Sequence, residues 1–226
     1  RADFLIAVTK RSQKVLYIEV GPEVSEAPSR DRFRAAAARA RFGMRAKRRH
    51  GATVHSSGRV FNDWVERARA DVALLTTELP TGPYPYAGIP WFSTAFGRDG
   101  VISSLQMLWL NPGLARGVLA FLAEHQATET SPFSDSQPGK IMHETRKGEM
   151  AALRELPFGR YYGGVDTTPL YIHLASAYAD RTGDMAFIDK LWPSLKAAAE
   201  WTEEASRATG FVTYQRAAES GLANQG

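Results

Sequence analysis

The sequence contains no cysteine among its 226 residues. This absence excludes disulfide bonds, thiol catalysis and metal sites built on cysteine. There is also no run of about 18 apolar residues, the length typical of a membrane-spanning helix, and we expect no membrane partner. Three signatures are missing as well: the phosphate-binding Gly-x-x-x-x-Gly-Lys-Ser/Thr loop, the dinucleotide-binding Gly-x-Gly-x-x-Gly turn and the Gly-x-Ser-x-Gly nucleophile elbow. The enzyme classes that depend on them are excluded.

The composition is that of an ordinary globular protein. Hydrophobic residues make up 44% and charged residues 23% of the chain, which excludes wholesale disorder. A chain of this length can bury a sizeable core, and one domain or two small ones are expected. No charged and then apolar signal segment follows Arg1, and we expect a cytoplasmic location.

The positive charge of the chain is local. Nine of its 28 basic residues lie between Arg30 and Arg49, where Asp31 is the one acidic residue, and the remaining 19 basic and 23 acidic residues give a net charge of −4. A basic helix can contact phosphates, but such a charge run is more often the solvated face of a connecting helix. We therefore expect no nucleic-acid partner.

The sequence predicts a small β unit followed by helices. Residues 3–9 and 14–20 are short, apolar and β-branched, and the polar turn between them favours a β-hairpin. The run 29–49 has high helix propensity and little apolar periodicity, so it predicts a linker helix. Apolar residues spaced three and four apart, together with turn signals, then predict helices over residues 60–78, 99–110, 112–128, 166–182 and 184–207. Short turns between consecutive helices favour antiparallel helical hairpins.

Five aromatic residues lie in a loop rich in proline and glycine, YPYAGIPWFSTAFGRDG at 84–100. They either pack together as a plug or line a pocket into which a few polar groups point. Arg98 and Asp99 end this loop, and a guanidinium beside a carboxylate can bind two neighbouring hydroxyls of one sugar ring. The alternatives are a structural ion pair for Arg98 and a helix N-cap for Asp99.

Two further loops carry ionisable residues, PGKIMHETRKGE at 138–149 and YYGGVDTTPL at 161–170. His143 and Glu144 begin like a zinc-binding helix, but Lys147 stands where the second histidine is required, so no metal or other cofactor is expected. His143 and Glu144 either bind sugar hydroxyls or brace their loop. Asp166 either caps the next helix or points into the same cleft, because similar loops that feed helix starts place those starts together.

These three loop segments resemble the amylo-α-1,6-glucosidase family, the glycogen-debranching-enzyme-like glycoside hydrolases of bacteria. The resemblance covers about residues 55–226. It implies a mostly α fold, an incomplete (α/α)6 toroid of helical hairpins formed by 55–226. By the same resemblance, 1–28 is the end of a small N-terminal β-domain and 29–54 is the linker helix.

The resemblance also implies roles for residues of this chain. Arg98 and Asp99 match the pair that binds the sugar in the −1 subsite, and Trp91 and Phe92 match the aromatic wall beside it. The remaining residues implied to line the same substrate cleft are Asp166, His143 and Glu144. The implied reaction is hydrolysis of an α-glucosidic bond, α-1,6 at branches of glycogen-like glucans, with inversion by two carboxyl groups.

In that family the catalytic general acid and base lie beyond the position of Gly226, so the resemblance implies that this chain alone recognises sugar without cleaving it. Unpaired helical faces of a partial toroid would favour self-association. Two other functions remain open: a different (α/α)6 glucosidase, of the trehalase or oligosaccharide-glucosidase kind, and a non-catalytic glycan-binding scaffold.

Overall fold

The computed structural model describes residues 3–21 and 27–214, and the segment GLANQG at 221–226 lies outside them. The chain divides into two compact units, Arg1–Lys47 and Arg48–Gly226. Each unit is described separately below. In the described part of the chain, none of the helices combines the length and the apolar character that a bilayer crossing requires.

The first unit contains one long helix, α1 (Arg30–Arg48), where a helix over 29–49 is predicted. None of its residues is buried, which is what a helix with little apolar periodicity gives. The Ser29 hydroxyl accepts a hydrogen bond from the Arg32 backbone at 3.2 Å. The Arg32 side chain pairs with Glu19, with 2.7 Å between Nη2 and Oε1.

The β-hairpin predicted over 3–9 and 14–20 is wrong for the described residues of this unit. The turn is present, since the Ser12 N–H donates to the Thr9 carbonyl at 3.1 Å, but residues 3–20 form no strand. Leu5 and Val20 are almost fully exposed. An isolated two-stranded ribbon is marginal in water without a third strand or a helix to cover it, and among the described residues of this unit nothing covers Leu5 or Val20. The assignment of 1–28 to the end of a β-domain stays a prediction.

The second unit is mostly helical, as predicted. Its helices are α2 (Arg59–Leu75), α3 (Gly97–Met107), α4 (Pro112–Glu124), the short α5 (Glu149–Ala152), α6 (Thr167–Thr182) and α7 (Met185–Ser206). A 3-10 turn spans Pro157–Gly159. The start of α4 is set by Asn111, whose side chain accepts from the Gly113 N–H, and α6 ends at Gly183 in the left-handed conformation.

A small β-hairpin follows α2 and is absent from the sequence prediction. Strands β1 (Thr76–Leu79) and β2 (Gly82–Pro85) pair antiparallel, with Thr76 opposite Pro85. The helix predicted to run to residue 78 therefore ends at Leu75. Strand β2 packs on α4, and this contact brings the aromatic loop to the start of α3.

The predicted helical hairpins are confirmed. Helix α3 packs on α4 and α6 packs on α7, while α3 and α4 both pack on α6. Their shared core is centred on fully buried side chains, Tyr84, Val101, Leu114, Val118, Leu119, Leu122, Ile141, Met142, Tyr171 and Leu174. Each fully buried large apolar side chain stabilises the fold by about 1.5–3 kcal/mol. The loop at 138–149 joins this core through Ile141 and Met142.

Helix α2 leaves apolar side chains in solvent. Val60, Trp64 and Leu74 are exposed, whereas Val65 and Ala73 are buried. Exposed apolar side chains on one helix are a common feature of interaction surfaces. Self-association through such faces stays a prediction.

Candidate functional site

The first turns of α3 and α6 meet at the segment 140–145. The Gly97 N–H donates to the His143 carbonyl at 2.7 Å, and the Ile141 N–H donates to the Thr168 hydroxyl at 2.9 Å. A Cβ on Gly97 would lie 2.1 Å from the Met142 carbonyl oxygen, so only glycine permits this approach. The expectation that similar loops bring helix starts together is confirmed for these two helices.

Arg98 and Asp166 form an ion pair across this junction. Arg98 Nη1 donates to Asp166 Oδ2 at 3.2 Å, and the two side chains are 34% and 38% exposed. Asp166 occupies the N-cap position of α6, but its side chain makes no capping hydrogen bond, so the capping interpretation is wrong. The ion pair proposed as the alternative for Arg98 is present. Both groups remain open enough to meet a ligand.

Asp99 lies in the first turn of α3 and is not its N-cap, because the cap position belongs to Phe96. Next to Asp99 is a pocket of about 210 Å³ between α3, the end of α2 and strand β2. It is lined by Val72, Leu75, Pro85, Tyr86, Ala87, Arg98, Asp99, Ile102 and Ser103. Pockets for drug-sized ligands measure about 300–1,000 Å³, so this one suits a smaller group.

Tyr86 and Ser103 also line this pocket. Tyr86 is one of the five loop aromatics for which packing and pocket lining were both considered, whereas Ser103 was not predicted. A signal for Ser103 was present, because it lies four residues after Asp99 on the same helix, and residues at this spacing share one face. Ile102, three residues after Asp99, follows the same rule. The sequence of the loop does not distinguish aromatic residues that line a pocket, such as Tyr86, from those that pack in the core.

The five aromatic residues of the loop at 84–100 divide between packing and exposure. Tyr84 is fully buried, and its hydroxyl donates to the Phe96 carbonyl at 2.9 Å. Phe92 is half exposed and meets Phe96 edge-on with ring centroids 5.8 Å apart. Trp91 is 80% exposed. Tyr84 and Phe96 therefore pack in the core, as the plug interpretation predicts, while Trp91 and Phe92 keep exposed ring surface. The role of Trp91 and Phe92 as an aromatic wall stays a prediction.

His143 is enclosed at the centre of the junction. It is 6% exposed, and its ring meets Phe96 and Tyr161 edge-on, with centroids 5.8 and 6.1 Å away. Nδ1 is fully buried and has no hydrogen-bond partner. Burial lowers the pKa of His143, as does the nearby Arg98, while Asp166 and Asp99 act in the opposite direction. The imidazole is therefore neutral near pH 7.

Glu144 braces the loops around the site. Its backbone bridges to both Phe96 and Tyr161, and its buried carboxylate accepts from Arg146 Nε at 3.1 Å. Burial raises the pKa of Glu144 and the Arg146 charge lowers it. The bracing alternative is thus present in the structure, and contact of Glu144 with a substrate stays a prediction.

Lys140 is buried, which the sequence analysis did not predict. Its Nζ donates to the Asp135 backbone carbonyl at 3.0 Å, lies 3.7 Å from the Asp135 carboxylate and sits 5.6 Å from the centre of the Trp201 ring. Burial lowers the pKa of Lys140, and Asp135 opposes this. No local pattern in PGKIMHE marks this lysine as enclosed.

Among the described residues, no three His, Asp or Glu side chains are grouped closely enough to hold a metal ion. Comparison of the chain with models of known protein families gave no match, and comparison with curated proteins gave none either. The chemistry of the site follows from its own side chains. It combines guanidinium donors, two open carboxylates, a neutral imidazole and free aromatic surface within one junction of two helix starts.

Proposed function

We propose that this chain recognises a sugar ring of an α-glucan, within a glycoside hydrolase of the amylo-α-1,6-glucosidase kind and the (α/α)6 fold. The observation that carries the proposal is the pairing of open charged groups with a small pocket. Arg98 and Asp99 line a pocket of about 210 Å³, and Asp166 is held beside them by the ion pair with Arg98.

A sugar ring needs both donors and acceptors, together with an apolar surface for its C–H face. Arg98 supplies donors only, and ionised Asp99 and Asp166 supply acceptors only. Hydrogen bonds to charged groups are about twice as strong as neutral ones, so this set can hold neighbouring hydroxyls firmly. Tyr86 lines the pocket, and Trp91 offers an exposed ring on the same loop.

The reaction class is the one implied by the family that the loop motifs resemble, and this chain contributes recognition of the sugar. Glu144 is the acid whose pKa burial raises, but its carboxylate is enclosed and paired with Arg146. That arrangement supports bracing more than proton transfer to a leaving oxygen.

The decisive experiment measures binding of malto-oligosaccharides to the 226-residue chain by isothermal titration calorimetry. Trp91→Ala should weaken binding about tenfold, since loss of one stacking aromatic removes on the order of 1 kcal/mol. Trp192→Ala is the matched control, because Trp192 is likewise exposed, at 63%, but lies on α7. If Trp192→Ala weakens binding and Trp91→Ala does not, the proposed location of the binding site is wrong.

Asp99→Asn tests the pocket more directly and should abolish measurable binding, because it removes the charge that accepts from sugar hydroxyls. A β-linked glucan of equal length serves as the specificity control and should bind much more weakly. Release of glucose from a branched limit dextrin by this chain would contradict the assignment of recognition without cleavage. Comparison of trehalose with malto-oligosaccharides distinguishes the trehalase-like alternative.

A further inference from the structure

We propose that a second pocket, on the α7 side of the candidate site, binds further units of the same α-glucan, so that this chain recognises a segment of the glucan and not one ring. The proposal rests on the proposed function of the first pocket, the one next to Asp99. It adds a place for the neighbouring units, a preference for longer oligosaccharides and a preference for uncharged ones.

The second pocket lies between the segment 137–140 and the last turns of α7. The lining residues that matter for its chemistry are Gln137, Lys140, Val165, Glu200, Trp201 and Glu204. Its volume is about 690 Å³, against about 210 Å³ for the first pocket. The second pocket therefore has room for at least two groups of the size that the first one admits.

The ion pair between Arg98 and Asp166 links the linings of the two pockets. Arg98 lines the first pocket and pairs with Asp166, while Val165, the residue before Asp166, lines the second pocket. Both side chains of the pair are about one third exposed. A continuous ligand can therefore reach from one pocket to the other across charged groups that bind hydroxyls.

The charges around the second pocket disfavour an anionic ligand. Lys140 is the one cation among the described residues that line it; its side chain is 4% exposed and is already paired with a carboxylate at 3.7 Å. Glu200 and Glu204 have side chains that are about two thirds exposed, and each pairs with an exposed base, Lys196 or Arg207. A phosphate or carboxylate ligand would meet two carboxylates and a lysine whose charge is balanced, so an uncharged ligand is favoured.

The polar groups of the second pocket suit a polyhydroxyl ligand. Trp201 Nε1 donates to Gln137 Oε1 at 2.7 Å. Because an indole N–H can only donate, this bond fixes which way the amide faces and leaves the two N–H groups of the exposed Gln137 for another acceptor. Glu200 supplies acceptors, and Thr130 and Thr213 add exposed hydroxyls. The link to the first pocket makes the neighbouring units of the same glucan the ligand.

The first experiment compares the affinities of maltose and maltohexaose for the 226-residue chain by isothermal titration calorimetry. Maltohexaose should bind at least about tenfold more tightly, because each additional hydrogen bond in the second pocket is worth about threefold to tenfold. An α-linked oligogalacturonate of the same length, with a carboxylate on each ring, should bind no more tightly than maltose. Equal affinities of maltose and maltohexaose overturn this inference alone, whereas absence of binding by any α-glucan overturns the proposed function as well.

Gln137→Glu tests the second pocket locally. The variant keeps an acceptor for Trp201 Nε1 and loses the two amide N–H groups, so maltohexaose affinity should fall about threefold to tenfold while maltose affinity stays close to wild type. Gln106→Glu is the matched control and should change neither affinity, because Gln106 is exposed on α3 and lines neither pocket. An equal loss for both sugars in Gln137→Glu, or no loss, would contradict the inference.

Two further measurements locate the additional units. Ala205→Met fills part of the second pocket and should weaken binding of maltohexaose but not of maltose, whereas Ala199→Met, exposed on the same helix, should weaken neither. In NMR spectra the Trp201 indole N–H signal, assigned by its loss in Trp201→Phe, should shift with maltohexaose and not with maltose. A maltohexaose complex in which this signal does not move would place the additional units elsewhere and overturn the inference.

Discussion

Arg98 Nη1 lies 3.2 Å from Asp166 Oδ2, and the two residues are 68 positions apart in the chain. Their ion pair joins the first turn of α3 to the residue that precedes α6. Each side chain is about one third exposed, so the pair is both a link between two helical hairpins and a surface that a ligand can reach. Loss of this ion pair should therefore affect ligand binding more than it affects the stability of the fold.

Asp166→Asn should weaken malto-oligosaccharide binding about tenfold or more, since a hydrogen bond to a charged group contributes about 1.5–3 kcal/mol. The free energy of unfolding should fall by less than about 1 kcal/mol, because solvent screens a pair this exposed. Calorimetry and urea titration measure the two effects. Asp71→Asn, which breaks the exposed pair with Arg67 at 3.3 Å, should leave binding unchanged; equal losses of binding in both variants would contradict a local role for Asp166.

Gly97→Ala should destabilise the second unit by about 3 kcal/mol or more, because overpacking against fixed backbone cannot relax by side-chain rotation. The added Cβ would meet the Met142 carbonyl oxygen at 2.1 Å and Thr167 Cγ2 at 2.5 Å. Urea unfolding followed by circular dichroism measures the loss. Gly148→Ala is the control, since nothing lies within 4 Å of its Cβ position. Equal stability of the two variants would mean that α3 and α6 do not approach as closely as described.

Tyr84→Phe should lower the free energy of unfolding by about 0.5–1.5 kcal/mol, the net value of one hydrogen bond. The lost bond is the one from the Tyr84 hydroxyl to the Phe96 carbonyl at 2.9 Å. The carbonyl keeps a second donor, the Gly100 N–H at 3.0 Å, so the cost stays moderate. Denaturant titration measures the loss, and the dependence of the unfolding free energy on denaturant concentration should be unchanged. A loss above about 3 kcal/mol would show that the ring has also moved.

Asp184 should make the stability of the second unit depend on acid. The hydrogen bond from Tyr178 is the main cause that holds the pKa of Asp184 below its ordinary value of 3.8; slight burial opposes it, and the Phe187 N–H and Arg116 add to it. A carboxylate with a depressed pKa stabilises the fold above its unfolded pKa and loses that contribution as pH falls through the folded pKa.

The measurement is thermal unfolding of wild type and Asp184→Asn between pH 6 and pH 3. Wild type should be the more stable at pH 6, and its advantage should shrink as pH falls below about 4. An advantage that stays constant over the whole range would show that the capping geometry, and not the charge, is responsible.

Helix ends marked by a capping residue or a terminal glycine were predicted well. Asp184 caps α7 and Gly183 ends α6 in the left-handed conformation, and both signals are visible in the sequence. The β1–β2 hairpin was missed because Pro83 and Pro85 argue against a strand and because the apolar pattern of α2 continues past Leu75. The N-terminal hairpin was predicted from two short apolar, β-branched runs and the polar turn between them, which report local preference and not the presence of a covering partner.

The sequence identified the loops of the candidate site, but it did not predict the side-chain contacts between them. Arg98 and Asp99 both line the pocket, but the sequence did not identify Asp166 as the ion-pair partner of Arg98. The enclosure of Lys140 and of the His143 Nδ1 depends on α7 and on the segment at 161–164, far along the chain. Such facts belong to packing between hairpins, and no window of adjacent residues contains them.

The separation between Arg98 and Asp166 also bears on the order of folding. Helices α3 and α4, and likewise α6 and α7, are neighbours in sequence, so each hairpin closes a short loop at small entropic cost, while docking of one hairpin on the other closes a long one. A chain with both hairpins formed but apart would lack the Arg98–Asp166 ion pair and would therefore bind the ligand more weakly than the folded chain. Recovery of full ligand affinity during refolding therefore reports the docking of the hairpins, and it should be slower than the recovery of helix content.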